Sequence, residues 1–232
     1  MAYNPLDYLE QNPILYIGMI FPLRRGTAEV IYAARDGVFI KELDSGIYML
    51  TSDNPEKSIE LVENTGAPPH ICLYQKDIAD YLFDRHNYNK YAINVQTVYT
   101  HEKYIYTDSR VLDIQKLTYS NLDWLYEHNS HLDRQYLEER LAAGAVYGGF
   151  IKNELCCSIG THAEGSVGML HVSEKFRGRG YAYELLSYMV NFLLEKKHIP
   201  FSQIEYDNIA SINLHKKIGF EISADMLYRL ID

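Results

Sequence analysis

Tryptophan and cysteine are scarce in this chain of 232 residues: there is one Trp against 21 Tyr, and there are three Cys. The cysteines are Cys72 and the adjacent pair Cys156 and Cys157, so no C-x-x-C spacing occurs. Neighbours in a strand point to opposite faces, and all three thiols read as reduced core residues. Long apolar runs are missing too. The stretch from Pro13 to Leu23 falls far short of the ~20 residues that span a bilayer, and Pro22 interrupts it. A basic excess is absent: the net charge is −9, whereas a protein that coats nucleic acid needs clustered Lys and Arg to neutralise phosphates. Neither nucleic acid nor membrane is therefore expected as a partner. The start Met1-Ala2-Tyr3-Asn4-Pro5 has no basic segment before an apolar run, so no secretory signal is expected, and the expected compartment is the cytoplasm. Short-period repeats and low-complexity tracts are lacking, which sets aside solenoids and linkers.

Hydrophobic residues at 47% and charged residues at 23% give the balance of a folded globular protein. Its character changes across the polar segments Thr100-His101-Glu102-Lys103 and Thr107-Asp108-Ser109, which predicts two domains, 1–108 and 109–232. In the first, Gly46 to Thr51 reads as a strand, Asn54-Pro55 opens a helix that runs to about Asn64, and Ile71 to Tyr74 reads as a short buried strand. A helix around Asp77 to Phe83 and an alternating strand from Tyr91 to Tyr99 follow. The N-terminal domain is expected to be mixed α/β, and it carries no assignable motif.

The second half is more regular. Val111 to Ile114 reads as a strand, and Thr118 or Ser120 can cap a helix containing Leu122 and Leu125. A second helix through Tyr136, Leu137 and Leu141 stops at Gly144. Three strands with tight turns come next: Ala145 to Ile151, Leu155 to Thr161 and Val167 to Val172. From Tyr181 to Lys197 apolar residues recur at helical spacing, with Pro200 as a stop. Phe201 to Tyr206 returns as a strand, Ile209 to Ile218 as a helix closed by Gly219, and Phe220 starts a last strand. The predicted fold class is α/β of the α+β kind: a mixed, largely antiparallel sheet flanked by helices.

Between the strand ending at Val172 and the long helix lies Arg177-Gly178-Arg179-Gly180-Tyr181-Ala182. The first turn of a helix leaves N–H groups unpaired and carries partial positive charge, so this is an anion site. Two glycines let the backbone approach a diphosphate, and Arg177 and Arg179 add full charges. A P-loop would need Gly-x-x-x-x-Gly-Lys-Ser/Thr, which does not occur. A dinucleotide fingerprint would need a small residue where Tyr183 stands, and it would belong in a first βαβ unit.

These residues resemble the GNAT superfamily of N-acetyltransferases. Arg177, Gly180 and Ala182 match its Gln/Arg-x-x-Gly-x-Gly/Ala signature, after the strand end Leu170-His171-Val172. A second family motif aligns over Asn208, Ser211, Asn213, Leu214, His215, Lys217, Gly219 and Phe220. The resemblance covers about residues 110–232, and the whole arrangement is similar to glycine N-acyltransferase-like members. It implies acetyl-CoA as co-substrate and no metal, with the pyrophosphate on the backbone of Arg177, Gly178, Arg179, Gly180, Tyr181 and Ala182. It also implies the pantetheine arm along Leu170 and Val172, and cofactor contacts from Asn208, Ser211 and Asn213. Where many members carry a Tyr that protonates the departing thiolate, this chain has His215, which either takes that role or is a surface residue on a short helix.

The implied activity moves an acetyl or other short acyl group from acyl-CoA to a primary amine of a small molecule or peptide. A non-catalytic acyl-CoA sensor or a protein-interaction module on the same fold is the alternative. Pairing through a sheet edge, common in the resembling family, allows a homodimer. For the general base, His171 lies beside the thioester, His162 and Glu164 sit at the preceding hairpin, and a water chain is a further choice. Whether His171 meets the acceptor depends on strand register. His128 and His131 form an H-x-x-H pair without a third ligand in a recognised spacing, so no metal is expected. The Glu138-Glu139-Arg140 run reads as a solvated helix face.

Overall fold

The computed structural model describes residues 3–106, 111–130 and 132–232. They form two compact units. The first comprises Met1–Val98, Gln203–Ile212 and Glu221–Asp232, and the second Tyr99–Ser202 and Asn213–Phe220. This differs from a single cut at 108/109. The last strand pairs with strands of the N-terminal half and carries the end of the chain into the first unit. Thr107, Asp108, Ser109 and Arg110, where the cut was expected, lie outside the described residues.

The first unit opens with α1 (Pro5–Leu9) and α2 (Ile17–Arg25), followed by β1 (Ala28–Ala34), β2 (Gly37–Glu42) and β3 (Tyr48–Ser52). Then come α3 (Pro55–Asn64), β4 (His70–Leu73), α4 (Lys76–His86) and β5 (Lys90–Val98). Pro22, read as an interruption, stands inside α2. The helix is closed instead by Gly26 at φ 72°, where Thr27 N–H donates to Pro22 O and Gly26 N–H to Leu23 O; this is the left-handed glycine stop that satisfies the last carbonyls. At α3 the Asn54 side chain accepts from Lys57 N–H at 3.1 Å and Pro55 takes the first helical position, as the Asn-Pro pair predicts. Phe39, Leu50, Ile71, Leu73 and Leu230 form a core with Leu61 and Val62 of α3 and Ile78 and Leu82 of α4.

The second unit contains β6 (Asp113–Lys116), a 3-10 turn at Tyr119–Asn121, α5 (Leu122–His128), α6 (Arg134–Ala142), β7 (Val146–Ile151), β8 (Glu154–Thr161) and β9 (Val167–Val172). A 3-10 turn at Glu174–Phe176 and α7 (Tyr181–Glu195) come next. The chain finishes with β10 (Phe201–Glu205), α8 (Ile209–Ile218) and β11 (Glu221–Ile231). The strands make a seven-stranded sheet in the order β1-β2-β3-β4-β11-β5-β10 and a four-stranded sheet in the order β6-β7-β8-β9. The smaller sheet is antiparallel throughout, and β3–β4 is a parallel pair of the larger one.

Helices cover both faces of the smaller sheet. Leu185, Leu186, Met189 and Val190 of α7 pack with Tyr147, Ile159 and Val167. Leu122 and Leu125 of α5 and Leu137 and Leu141 of α6 pack with Val146 and Met169 on the other side. Burying each such side chain stabilises by about 1.5–3 kcal/mol.

Two β-bulges decide what faces where. In β8, Gly149 pairs with Cys157 and Phe150 with Leu155, so Cys156 is an extra residue. Cys156 and Cys157 therefore share the α7 face, with their sulfurs 3.7 Å apart, and do not point to opposite faces as strict alternation predicts. Both are free, buried thiols, and burial pushes both pKa values up.

In β9, Ser158 pairs with His171 and Gly160 with Gly168, so Ile159 faces both Met169 and Leu170. Met169 has φ 54°, held by Ser158 Oγ–H donating to its carbonyl at 2.9 Å. The bulge resets the alternation. Val167, Leu170 and Val172 join the α7 core, and Met169 joins the α5/α6 core.

Candidate functional site

The strand, turn and long helix read from the sequence lie together in the second unit. After β9, the turn at Glu174–Phe176 leads to Gly178 at φ 76° and Gly180 at φ 84°, a region that favours glycine. A Cβ built at either meets nothing within 4 Å, so the space above the turn is open. Gly180 occupies the N-cap of α7 and offers no side-chain cap. The helix ladder begins with Glu184 N–H to Gly180 O at 3.1 Å, so the N–H groups of Tyr181, Ala182 and Tyr183 have no intrahelical acceptor.

The two arginines are held differently. Arg177 donates from Nε to Val172 O at 3.0 Å, tying the turn to the strand end, and its guanidinium lies 3.6 Å from Glu174. Arg179 stacks over Phe176 at 5.9 Å. Leu170 and Val172 direct their side chains into the α7 core. Tyr181 is buried against Phe176.

The start of α7 is anchored from below. Glu184 is buried, and its Oε1 accepts from Val111 N–H at 2.9 Å and Leu112 N–H at 3.0 Å. Two turns on, Asn191 exchanges hydrogen bonds with the backbone of Ile105, at 2.8 Å and 2.9 Å.

His171 is half-buried. The bulge places it one residue from Leu170 and Val172, on the α5 side. There its ring centroid is 4.7 Å from that of His128 and 6.2 Å from Trp124, both edge-on. His128 in turn stacks on Trp124 at 4.1 Å. Its Nδ1 is 2.8 Å from Trp124 O, and a carbonyl can only accept, so Nδ1 carries the proton. Its Nε2 lies 3.4 Å from Ser173 Oγ. Burial first, then His128 and Arg177, holds the His171 imidazole below the ordinary histidine pKa. The sequence reading leaves Trp124 unassigned and places His128 only in an H-x-x-H pair, although the four-residue spacing of the two on one helix face is a signal for this contact.

His215 is placed elsewhere. It is only 3% exposed, which removes the surface alternative. Its Nε2 is 3.0 Å from Ser202 Oγ, and its ring sits edge-on to Phe220 at 4.8 Å. Asn208 accepts from Ser211 N–H at 3.1 Å and so caps α8, while Ser211 and Asn213 lie within that helix. His162 contacts Tyr136 Oη at 2.7 Å, and Glu164 is buried and accepts from Ser166 Oγ. His131, the other half of the H-x-x-H pair, lies outside the described residues.

Residues 144–229 match the family model described as FR47-like protein. The fold is similar to that of a Drosophila protein of known structure at TM-score 0.71 and 15% identity, covering 97% of this chain and 94% of that one. It is also similar to an acetyltransferase of the GNAT family from Colwellia psychrerythraea (TM-score 0.54, 14% identity, 100% and 99% covered). A GCN5-related N-acetyltransferase-like protein from Streptococcus suis gives TM-score 0.56 and 12% identity, with 98% and 99% covered. No curated protein matches the sequence. At these identities the structural likeness is one of fold. Residues 144–229 thus match the FR47-like family model, and the chain as a whole shares its fold with GNAT-family acetyltransferases of known structure.

Proposed function

We propose that the protein is an N-acyltransferase that moves an acetyl or other short acyl group from acyl-CoA to an amine. The observation that carries this reading is the open turn at the start of α7. The first-turn N–H groups of α7 have no intrahelical acceptor there, both glycines leave the backbone uncovered, and Arg177 is fixed to the end of β9. These residues fit a diphosphate. The Arg177–Ala182 turn would hold it, and the edge of β9 at Leu170 and Val172 would take the chain beyond it. Acyl-CoA supplies the activated thioester carbonyl.

The chain's own part is positioning and proton movement. His171 is neutral at pH 7, since its pKa lies below the ordinary histidine value, and it can therefore accept the proton that the amine sheds. The bulge takes Met169 and Leu170 out of the regular ladder beside it, where a backbone N–H can face a developing oxyanion. We assign His215 a packing role against Phe220 and Ser202.

The test is calorimetric titration of acetyl-CoA into the wild type and into Gly180→Trp, with circular dichroism checking that the variant is folded. Binding by the wild type and its loss in the folded variant support the assignment. A wild type that binds neither acetyl-CoA nor a longer acyl-CoA refutes it. Thiol release with an amine present separates an enzyme from a binding protein.

A further inference from the structure

One stripe of α7 is left over from the packing that holds the helix to its sheet. Leu185, Leu186, Met189, Val190 and Leu193 enter the core. Glu184, Ser187, Tyr188, Asn191 and Glu195 recur at spacings of three and four on another face. These five line a cavity of about 500 Å³, a size that takes a small organic molecule. Two of them clamp the chain that runs from β5 to β6. Glu184 holds the N–H groups of Val111 and Leu112, and Asn191 holds the backbone of Ile105. Ser187 lies between these clamps along the helix. It is 1% exposed, and its hydroxyl has no hydrogen-bond partner among the described residues. A buried hydroxyl left unpaired is costly, so one in the wall of a cavity marks a place where a ligand would complete the bonding.

The remaining wall restricts what that ligand is. Tyr188 and Phe192 stack at 6.3 Å, and each packs on Tyr147, at 5.5 Å and 5.1 Å. Tyr104 and Tyr106 also line the cavity, and at 47% and 91% exposed their rings are largely uncovered. Leu112 and Ile114 add apolar surface. The carboxylates in the wall are Glu184 and Glu195, and no Lys, Arg or His lines it among the described residues. Lys196, the next residue along the helix, lies over the Phe192 ring at 4.9 Å and is not part of the wall. Burial, and then Glu195, raise the pKa of the Tyr188 phenol, which stays a hydroxyl. An anion placed here would meet two carboxylates and no counter-charge, whereas a cation meets carboxylates and ring faces. Neither Leu170 and Val172 nor the Arg177–Ala182 turn lines this cavity, so it is separate from the acyl-CoA turn.

We propose that the cavity is a binding site for a small aromatic ammonium. Its ring would lie among Tyr104, Tyr106, Tyr188 and Phe192, and its protonated amine would donate to Ser187 Oγ beside Glu184 and Glu195. The site stands whether or not the protein transfers acyl groups.

The experiment uses three probes of one shape and different charge: phenethylamine, 2-phenylethanol and 3-phenylpropionate. Each is titrated at pH 7, without acyl-CoA, into the isotope-labelled full-length protein, and amide shifts in NMR spectra give both the Kd and the place. We expect saturable shifts at Leu112, Ser187 and Asn191 with phenethylamine, binding at least about tenfold weaker for the alcohol, and weaker still for the carboxylate. Glu195 is exposed, so Glu195→Gln should leave the fold intact. It should weaken phenethylamine about threefold and leave the alcohol unchanged. Ser187→Ala should weaken phenethylamine without lowering Tm, since the hydroxyl it removes is unpaired. The inference is overturned if the alcohol or the carboxylate binds as well as the ammonium. It is also overturned if phenethylamine shifts only His171 or the Arg177–Ala182 turn, or gives no saturable shift at the three amides up to about 10 mM. Phenethylamine binding both variants as tightly as the wild type has the same consequence. Acetyl-CoA titration and thiol release test the acyltransferase reading separately, so either can fail while the other stands.

Discussion

Replacing Glu184 by Leu is the sharpest test of how α7 is held. The carboxylate is 8% exposed and accepts two backbone N–H groups, from Val111 at 2.9 Å and Leu112 at 3.0 Å. Leucine keeps the bulk and removes the acceptor. A buried N–H left without a partner costs about 1–3 kcal/mol, and bonds to a charged group lie at the upper end. Leu112 is 8% exposed and should incur the full cost, while Val111 is 55% exposed and water can serve its N–H in part. The expected loss is therefore about 2–4 kcal/mol, which in a chain of this size lowers Tm by roughly 4–16 °C. Glu184→Gln retains an acceptor oxygen and should lose about half as much. Thermal unfolding gives the magnitude, and amide hydrogen exchange at Val111 and Leu112 gives the location. A Glu184→Leu protein that melts within 1 °C of wild type, or that loses protection elsewhere and not at these amides, would show that the carboxylate does not anchor the helix.

Two further perturbations address other sites. His70 accepts from Arg229 at 3.0 Å and 3.2 Å, and burial, Arg229 and Lys90 push its pKa down to about 3. Below pH 6.5 the unfolded chain binds a proton there that the folded chain refuses, so stability falls with pH, by about 2 kcal/mol between pH 6.5 and 5; His70→Gln should flatten that part of the slope in denaturant titrations. Equal slopes for the two proteins would refute it. His215→Phe should cost about 1 kcal/mol of stability and leave turnover within a few-fold, whereas a hundredfold loss of turnover at unchanged stability would restore His215 as the proton donor.

Much of the architecture could be read from local pattern. The Asn54-Pro55 start, the Gly144 stop, the Lys152-Asn153 turn and the apolar spacing of α7 each depend on residues within one or two turns of one another, and each lies where expected. What escaped depends on distance or on irregularity. The first 45 residues hold two helices and two strands that carried no legible signal. The pairing of β11 with β4 and β5 joins residues more than 120 apart in sequence, so no local pattern announces that the first unit includes the C-terminus. The bulges at Cys156 and Met169 break the period-2 rule that assigns faces, and they decide whether His171 points at α5. The anion-binding turn was legible because glycine at positive φ followed by a helix is a backbone requirement. The His128 partnership was not, because it joins a helix to a strand that comes 43 residues later.

The single tryptophan of the chain is Trp124, stacked on His128 and edge-on to His171. Selective excitation of indole therefore reports on the surroundings of His128 and His171 and on nothing else in the molecule. Twenty-one tyrosines emit at shorter wavelength, and no second indole dilutes the signal. Arrival of an amine beside His171 or displacement of α5 should each alter the same emission band. The fold has in effect been supplied with a fluorophore at the place where its chemistry is to be watched, and stopped-flow measurements on the unmodified protein can follow that chemistry in time.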